Sequence, residues 1–157
     1  RKCVEIGHTL LRAPWELVPF IISMFTIALS LEKHGVSSDI AKFLGEGYEV
    51  WKYGFASFLS ANLLNNIPMS VTFTSIINSG MAMSSLKVNI AQATYASIIG
   101  SNIGAFLTPM GALAGIMWMG ILKDHDVKYT FASFVKYGAI VSIPVISAAL
   151  AMLLIFA

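Results

Sequence analysis

Charge is what this sequence has least of. Of its 157 residues, 18 are Asp, Glu, Lys or Arg, 11% of the chain, whereas soluble domains carry about 25%. No charge falls between Lys52 and Lys87, a gap of 34 residues, or between Lys87 and Lys123, a gap of 35. Uncharged apolar runs beyond about 18 residues read as membrane segments. A soluble core helix can hold one such run, but its neighbours would be polar. The net charge is +2 and no basic cluster has interleaved aromatics, which excludes nucleic acid as a partner. Cys3 is the single cysteine, so neither a disulfide framework nor a multi-thiolate metal cage can form. His8, His34 and His125 stand apart in polar segments without ligand spacing, and no metal site is expected. No Asp or Glu lies between Tyr53 and Leu122, so the apolar runs hold no acidic proton carrier. Their Ser and Thr hydroxyls have no His, Asp, Glu or Lys partner within those runs. An intramembrane enzyme therefore ranks last among the readings, and the chain is read as not an enzyme, with no cofactor expected beyond a coupling ion, H⁺ or Na⁺.

What is present is an all-α membrane pattern with two faults in it. The chain begins at Arg1, and "RKCVEIGHTLLRAPW" has neither the apolar core nor the cleavage site of a signal peptide. It reads as part of a longer polypeptide. Residues 1–13 form a charged entry, and residues 14–31 have the length of one span, with Trp15 as interfacial anchor. Residues 32–54 alternate charges with Ile40, Phe43, Leu44 and Val50, which predicts a surface helix capped by Ser38 or Asp39.

Residues 55–83 would make a helix roughly 43 Å long against a hydrocarbon core of about 30 Å. Two spans would need about 40 residues plus a turn. The centre of the segment is "NNIP", so a re-entrant hairpin of two half-helices is predicted, restarting at Asn65 or Asn66 with Pro68 in the first turn. Residues 90–122 pose the same difficulty, at roughly 50 Å if straight. A broken span is predicted, unwound from Ser101 to Thr108 and restarting with Thr108 as N-cap and Pro109 at the first helical position. Residues 123–136 read as a surface segment and residues 137–157 as a last span, with Pro144 tolerated inside it.

A broken membrane helix must satisfy the backbone groups it frees, and a bound solute or ion can do so. Half-helix N-termini offer N–H donors and partial positive charge, while C-terminal carbonyls suit a cation. The expected substrate and ion contacts are Asn62, Asn65 and Asn66 in the hairpin, with Ser101, Asn102 and Thr108 in the broken span. Gly104 and Gly111 allow close approach of backbone or ligand, and Pro68 and Pro109 restart the helices. The competing structural role for the same residues is helix packing, for which Gly100-xxx-Gly104 and Gly111-xxx-Gly115 have the spacing.

"ANLLNNIPMSV" (61–71) and "GSNIGAFLTPMGALAGIMWMGIL" (100–122), followed by a basic amphipathic stretch and a final span, resemble the C-terminal half of the arsenite efflux permease family. That family sits in an ion transporter superfamily with sodium/proton antiporters and carboxylate transporters. The resemblance covers residues 51–157. It implies one repeat of an inverted-repeat fold, with a re-entrant hairpin and a discontinuous helix in each repeat and a homodimeric assembly. The implied function is efflux of arsenite or antimonite by alternating access, in exchange for protons. The implied partners are a small inorganic or organic anion as substrate, the lipid bilayer, the N-terminal repeat and, in some members, a soluble ATPase. A multi-pass protein of a prokaryotic plasma membrane follows.

Counting Lys and Arg gives six on one side (Arg1, Lys2, Arg12, Lys123, Lys128, Lys136) and four on the other (Lys33, Lys42, Lys52, Lys87), which makes the first side cytoplasmic. Two further functions fit the pattern. One is a sodium-coupled carboxylate carrier or sodium/proton antiporter of the same superfamily. The other is a membrane scaffold subunit that moves nothing.

Overall fold

The computed structural model describes residue 15 and residues 17–45, 47–83 and 88–156. The charged entry 1–13, with Cys3 and His8, lies outside the described residues. So do four of the cations in the orientation count, Arg1, Lys2, Arg12 and Lys87. The described residues form helices and connecting turns without a strand. The helices are α1 (Leu17–Lys33), α2 (Val36–Leu44), α3 (Glu49–Leu64), α4 (Asn66–Ala82), α5 (Ile90–Gly104), α6 (Leu113–Asp124) and α7 (Phe131–Phe156).

Gly35, at φ 75°, turns the chain by 73° between α1 and α2. Its carbonyl accepts the N–H groups of Ser38 and Asp39. Those two residues therefore sit in the first turn of α2, and neither caps it by its side chain as expected. Ser37, Ala41 and Leu44 face inward, while Phe43 points out, 89% exposed, beside an Asp39–Lys42 ion pair of 3.5 Å. α2 packs on α4.

α3 begins at Glu49, six residues before the apolar run, so the predicted surface segment ends earlier than its charges suggested. The reason is a buried stripe with helical spacing that starts at Val50 and continues through Tyr53, Gly54, Ser57, Phe58 and Ala61. Val50 and Tyr53 are fully buried. Packing of that stripe outweighs the polarity of its neighbours.

The centre of the fold is the crossing of α3 with α5, the most extensive helix contact among the described residues. α5 presents Ala93, Ala96, Ser97, Gly100, Ser101 and Gly104, at least one small residue on each turn. A methyl group on Gly100 would overlap the Gly54 carbonyl and the Ser57 hydroxyl, and one on Gly104 would overlap the Phe58 carbonyl. The two backbones thus meet without side chains between them, the close approach that small-xxx-small spacing permits. α7 closes the other side through Ser142, Ile146 and Leu150, spaced by four. Leu150 lies on Gly54, where a Cβ would come 2.5 Å from its Cδ1. α7 runs through Pro144 and starts at Phe131, so 131–136 belong to the last helix and not to a surface connection.

The helices α3, α4, α5 and α6 contain 16, 17, 15 and 12 residues, or roughly 18–26 Å each, short of a hydrocarbon core of about 30 Å. Among the described residues α7 is the one helix long and apolar enough to cross a membrane. The bent pair α1 and α2 is a second if it counts as one span.

A substitution at the crossing should be far more damaging than one on an open face. Gly100→Val is expected to destabilise the full-length protein by about 3 kcal/mol or more through overpacking. At Gly120, in α6, an added methyl group would have nothing within 4 Å of it, and Gly120→Ala is expected to be neutral or to stabilise by about 0.5–1 kcal/mol. Thermal unfolding of both variants in detergent checks the contrast.

Candidate functional site

α3 stops at Leu64 and α4 starts at Asn66, so a single residue carries the reversal. Asn65 has φ 64° and ψ 156°, a region that is essentially glycine's alone and costs about 1–3 kcal/mol for other residues. It is 2% exposed. Its amide Nδ2 donates to the Met110 carbonyl at 3.3 Å, while its Oδ1 is buried without a hydrogen-bond partner. Asn66 is the first helical residue of α4, and its backbone N–H donates to the Gly111 carbonyl at 3.1 Å. Pro68, buried in the same first turn, has no N–H to give. The N-terminus of α4 is thus turned against the chain at Gly111, not left as an open set of donors.

The facing element is the connection between α5 and α6, residues 105–112. Ser101 and Asn102 were expected in the unwound stretch, yet both lie in the last turn of α5. Their side chains fold back on their own helix: Ser101 Oγ and Asn102 Nδ2 each donate to the Ile98 carbonyl, at 3.0 and 2.8 Å. The helix then tapers through tight turns, Phe106 N–H to Ile103 O and Leu107 N–H to Gly104 O. Thr108 and Pro109 do not restart a helix as expected. Thr108 to Gly111 is a β-turn closed by the Gly111 N–H on the Thr108 carbonyl at 3.1 Å, with Pro109 second and Gly111 fourth. α6 begins at Leu113, after Ala112, which has no side chain able to cap it. Proline second and glycine fourth suit a turn as well as Thr-Pro suits a helix start, and the turn formed here is tied to α3 through the Thr108 hydroxyl.

That bond, Thr108 Oγ1 donating to Asn62 Oδ1 at 2.8 Å, joins α3 to the turn across 46 positions of sequence. Asn62 Nδ2 is held in place by the Phe58 carbonyl at 2.9 Å. Gly111 fits between them: a Cβ there would lie 3.0 Å from Asn62 Oδ1 and 2.9 Å from Ala105 Cα. Asn62, Asn65, Asn66, Thr108 and Gly111 therefore form one cluster. Gly104 borders the cluster: its carbonyl would lie 3.1 Å from a Cβ on Gly111, and its own Cα packs on the backbone of Phe58.

Asn66 and Asn102 share a cleft of about 590 Å³ with Phe106, Trp118 and Phe134. Ser101 instead lines a separate cleft of about 260 Å³ between α4 and α5. The aromatic wall was not anticipated. Trp118 meets Phe134 and Tyr129 edge to face, with ring centroids at 5.8 and 5.2 Å. The carbonyls of Met110 and Gly111 were not anticipated either, since backbone acceptors leave no mark in a residue pattern. Among the described residues no cluster of His, Cys, Asp or Glu could hold a metal.

A family model described as arsenical pump membrane protein matches residues 2–157. The chain belongs to the ArsB family. Arsenical pump membrane proteins from Escherichia coli are 26% identical over 156 residues and, in strain K12, 25% identical over 156 residues. Each alignment covers 96% of this chain and 36% of the relative. An uncharacterized transporter of Synechocystis is 27% identical over 157 residues, covering 86% of this chain and 35% of that protein. The chain thus spans about a third of the length of the curated relatives it matches. No solved structure matches it. The ArsB match takes in both breaks and the turn between α5 and α6.

Two measurements probe the cluster. Asn65→Ala is expected to destabilise the full-length protein by about 1–3 kcal/mol more than Asn65→Gly, because glycine alone adopts that backbone conformation without strain. A double-mutant cycle of Asn62→Ala with Thr108→Val is expected to give a coupling of about 1 kcal/mol. Additive single effects would mean that the bond between them contributes nothing.

Proposed function

We propose that this chain supplies one half of a secondary transporter that exports arsenite or antimonite, and that the facing breaks at Asn65 and 105–112 are its share of the substrate and coupling-ion site. The observation that carries the reading is Asn65. It is buried in a glycine-like backbone conformation with an unpartnered Oδ1, and strain of this kind persists where surrounding structure over-determines it, characteristically at functional sites. Membership of the ArsB family supports an arsenic oxyacid as the substrate class.

In this reading α3 and α4 are the arms of a re-entrant hairpin, and α5 and α6 are the halves of a discontinuous transmembrane helix. Each is too short to span alone, and each break turns its polar backbone toward protein instead of lipid. A second, inverted repeat in the remaining length of the full protein completes the site, and two copies form the dimer in the plasma membrane. Asn66 and Asn102 present uncharged amides to the larger cleft, suited to the hydroxyl or oxo groups of an arsenic oxyacid. With no acidic residue in α3 through the turn at 111 beyond Glu49 at its start, proton exchange draws its ionisable group from the other repeat. The same chain acts as a carrier and not as an enzyme.

The test is arsenite transport by the full-length protein in everted membrane vesicles, with pH and Na⁺ gradients imposed separately. Arsenite accumulation driven by the pH gradient is expected. Asn66→Ala and Asn102→Ala are each expected to lower its rate about tenfold, the effect of losing one well-placed hydrogen bond to substrate, while Gly120→Ala leaves it unchanged. Accumulation that follows only the Na⁺ gradient, or of a carboxylate and not arsenite, would replace this reading with a sodium-coupled carrier. Transport indifferent to both Asn substitutions would remove the breaks from the site.

A further inference from the structure

A second cleft, between α4 and α5, lies outside the Asn cluster. It measures about 260 Å³, and its polar lining residues are Ser70 and Thr74 on α4 and Thr94, Ser97 and Ser101 on α5. The spacings, four on α4 and three then four on α5, set the hydroxyls in two facing rows along the helices. Three of the five have already committed their protons to their own helices. Ser70 donates to the Ile67 carbonyl, Thr74 to Ser70 and Ser101 to Ile98, at 2.7, 2.9 and 3.0 Å. These oxygens offer the cleft lone pairs only. Ser97 differs: it is 6% exposed, and its Oγ is buried without a hydrogen-bond partner. A buried hydroxyl in that state is disfavoured and calls for a partner.

We infer that the α4–α5 cleft is a second solute site for an uncharged molecule bearing several O–H groups, with Ser97 and Thr94 as its determining contacts. The lining fixes the class. No charged side chain borders the cleft, so a bare ion entering it would lose hydration without compensation. A row of acceptors requires donors on the ligand, while Ser97 and Thr94 can give or accept. An undissociated oxyacid such as arsenous acid meets both conditions, and an oxyanion without its protons meets neither. Ser101 at the end of the row precedes Asn102 of the larger cleft in sequence, but the two clefts share no lining residue. The choice of arsenous acid rests on the export reading; the hydroxyl geometry does not.

Equilibrium dialysis of arsenous acid against the purified full-length protein, with bound arsenic measured by mass spectrometry, tests the inference. Two classes of bound arsenic are expected, one weakened by Asn66→Ala and the other by Ser97→Ala with Thr94→Val. The double substitution is expected to weaken its class about tenfold, whereas Thr94→Ser retains it. Glycerol, uncharged with three hydroxyls, is expected to displace that class, and phosphate is not. An isotherm unchanged by the double substitution overturns the cleft, as does displacement by phosphate equal to that by glycerol. Binding through Ser97 and Thr94 in a protein that transports no arsenite would leave the cleft standing and sink the export reading. Unchanged binding in the double variant, with transport still lost in Asn66→Ala, would do the reverse.

Discussion

The carbonyls of Gly54 and Phe58 occupy the places where side chains at positions 100 and 104 would stand. Backbone meets backbone along that line, and the rest of the arrangement follows from it. In a membrane, where lipid is as apolar as leucine, helices associate through close packing and hydrogen bonds and not by expelling water. The α3–α5 crossing supplies the packing, and it also fixes register. One turn beyond Phe58, Asn62 faces the Thr108 hydroxyl; one turn beyond that, Asn65 faces the Met110 carbonyl. A sidechain-sized gap at the crossing would separate both pairs. The unfavourable conformation of Asn65 persists because contacts on either side of it leave no other path for the chain.

The breaks largely answer each other. The N–H of Asn66 is taken by the Gly111 carbonyl and the Asn65 amide by Met110, so the two interruptions form a single docked unit. Charge plays no part in it. Outside this unit the Asn65 oxygen is left buried without a partner, and Asn66 and Asn102 line the larger cleft. α6 is held differently: it buries no residue and meets its surroundings through the Trp118, Tyr129 and Phe134 rings.

Several features were legible in the residues alone. The long uncharged runs required helices interrupted by something other than chance, and Asn65-Asn66-x-Pro68 is where α3 gives way to α4. The small-residue spacing of Gly100 and Gly104 carried two meanings, site and packing, and the crossing with α3 shows the packing. Thr108-Pro109 likewise had two local solutions. The helix start was chosen on the sequence because the cap and the proline fit it. The turn is the one found, and Asn62, 46 positions away, ties it to α3 through the Thr108 hydroxyl. Val50 and Tyr53 were assigned to the surface by their charged neighbours, although their own spacing places them on the buried stripe.

By itself the sequence determined the class of the protein: its scarcity of charge demands helices in an apolar setting, and its broken runs and motif carry the family. These are properties of composition and local pattern, and a chain expresses them wherever it folds. Tertiary structure decided which polar groups meet. Whether an asparagine faces a carbonyl, a hydroxyl or an empty cleft depends on the depth and register of the α3–α5 crossing, a distance between backbones that no single residue encodes.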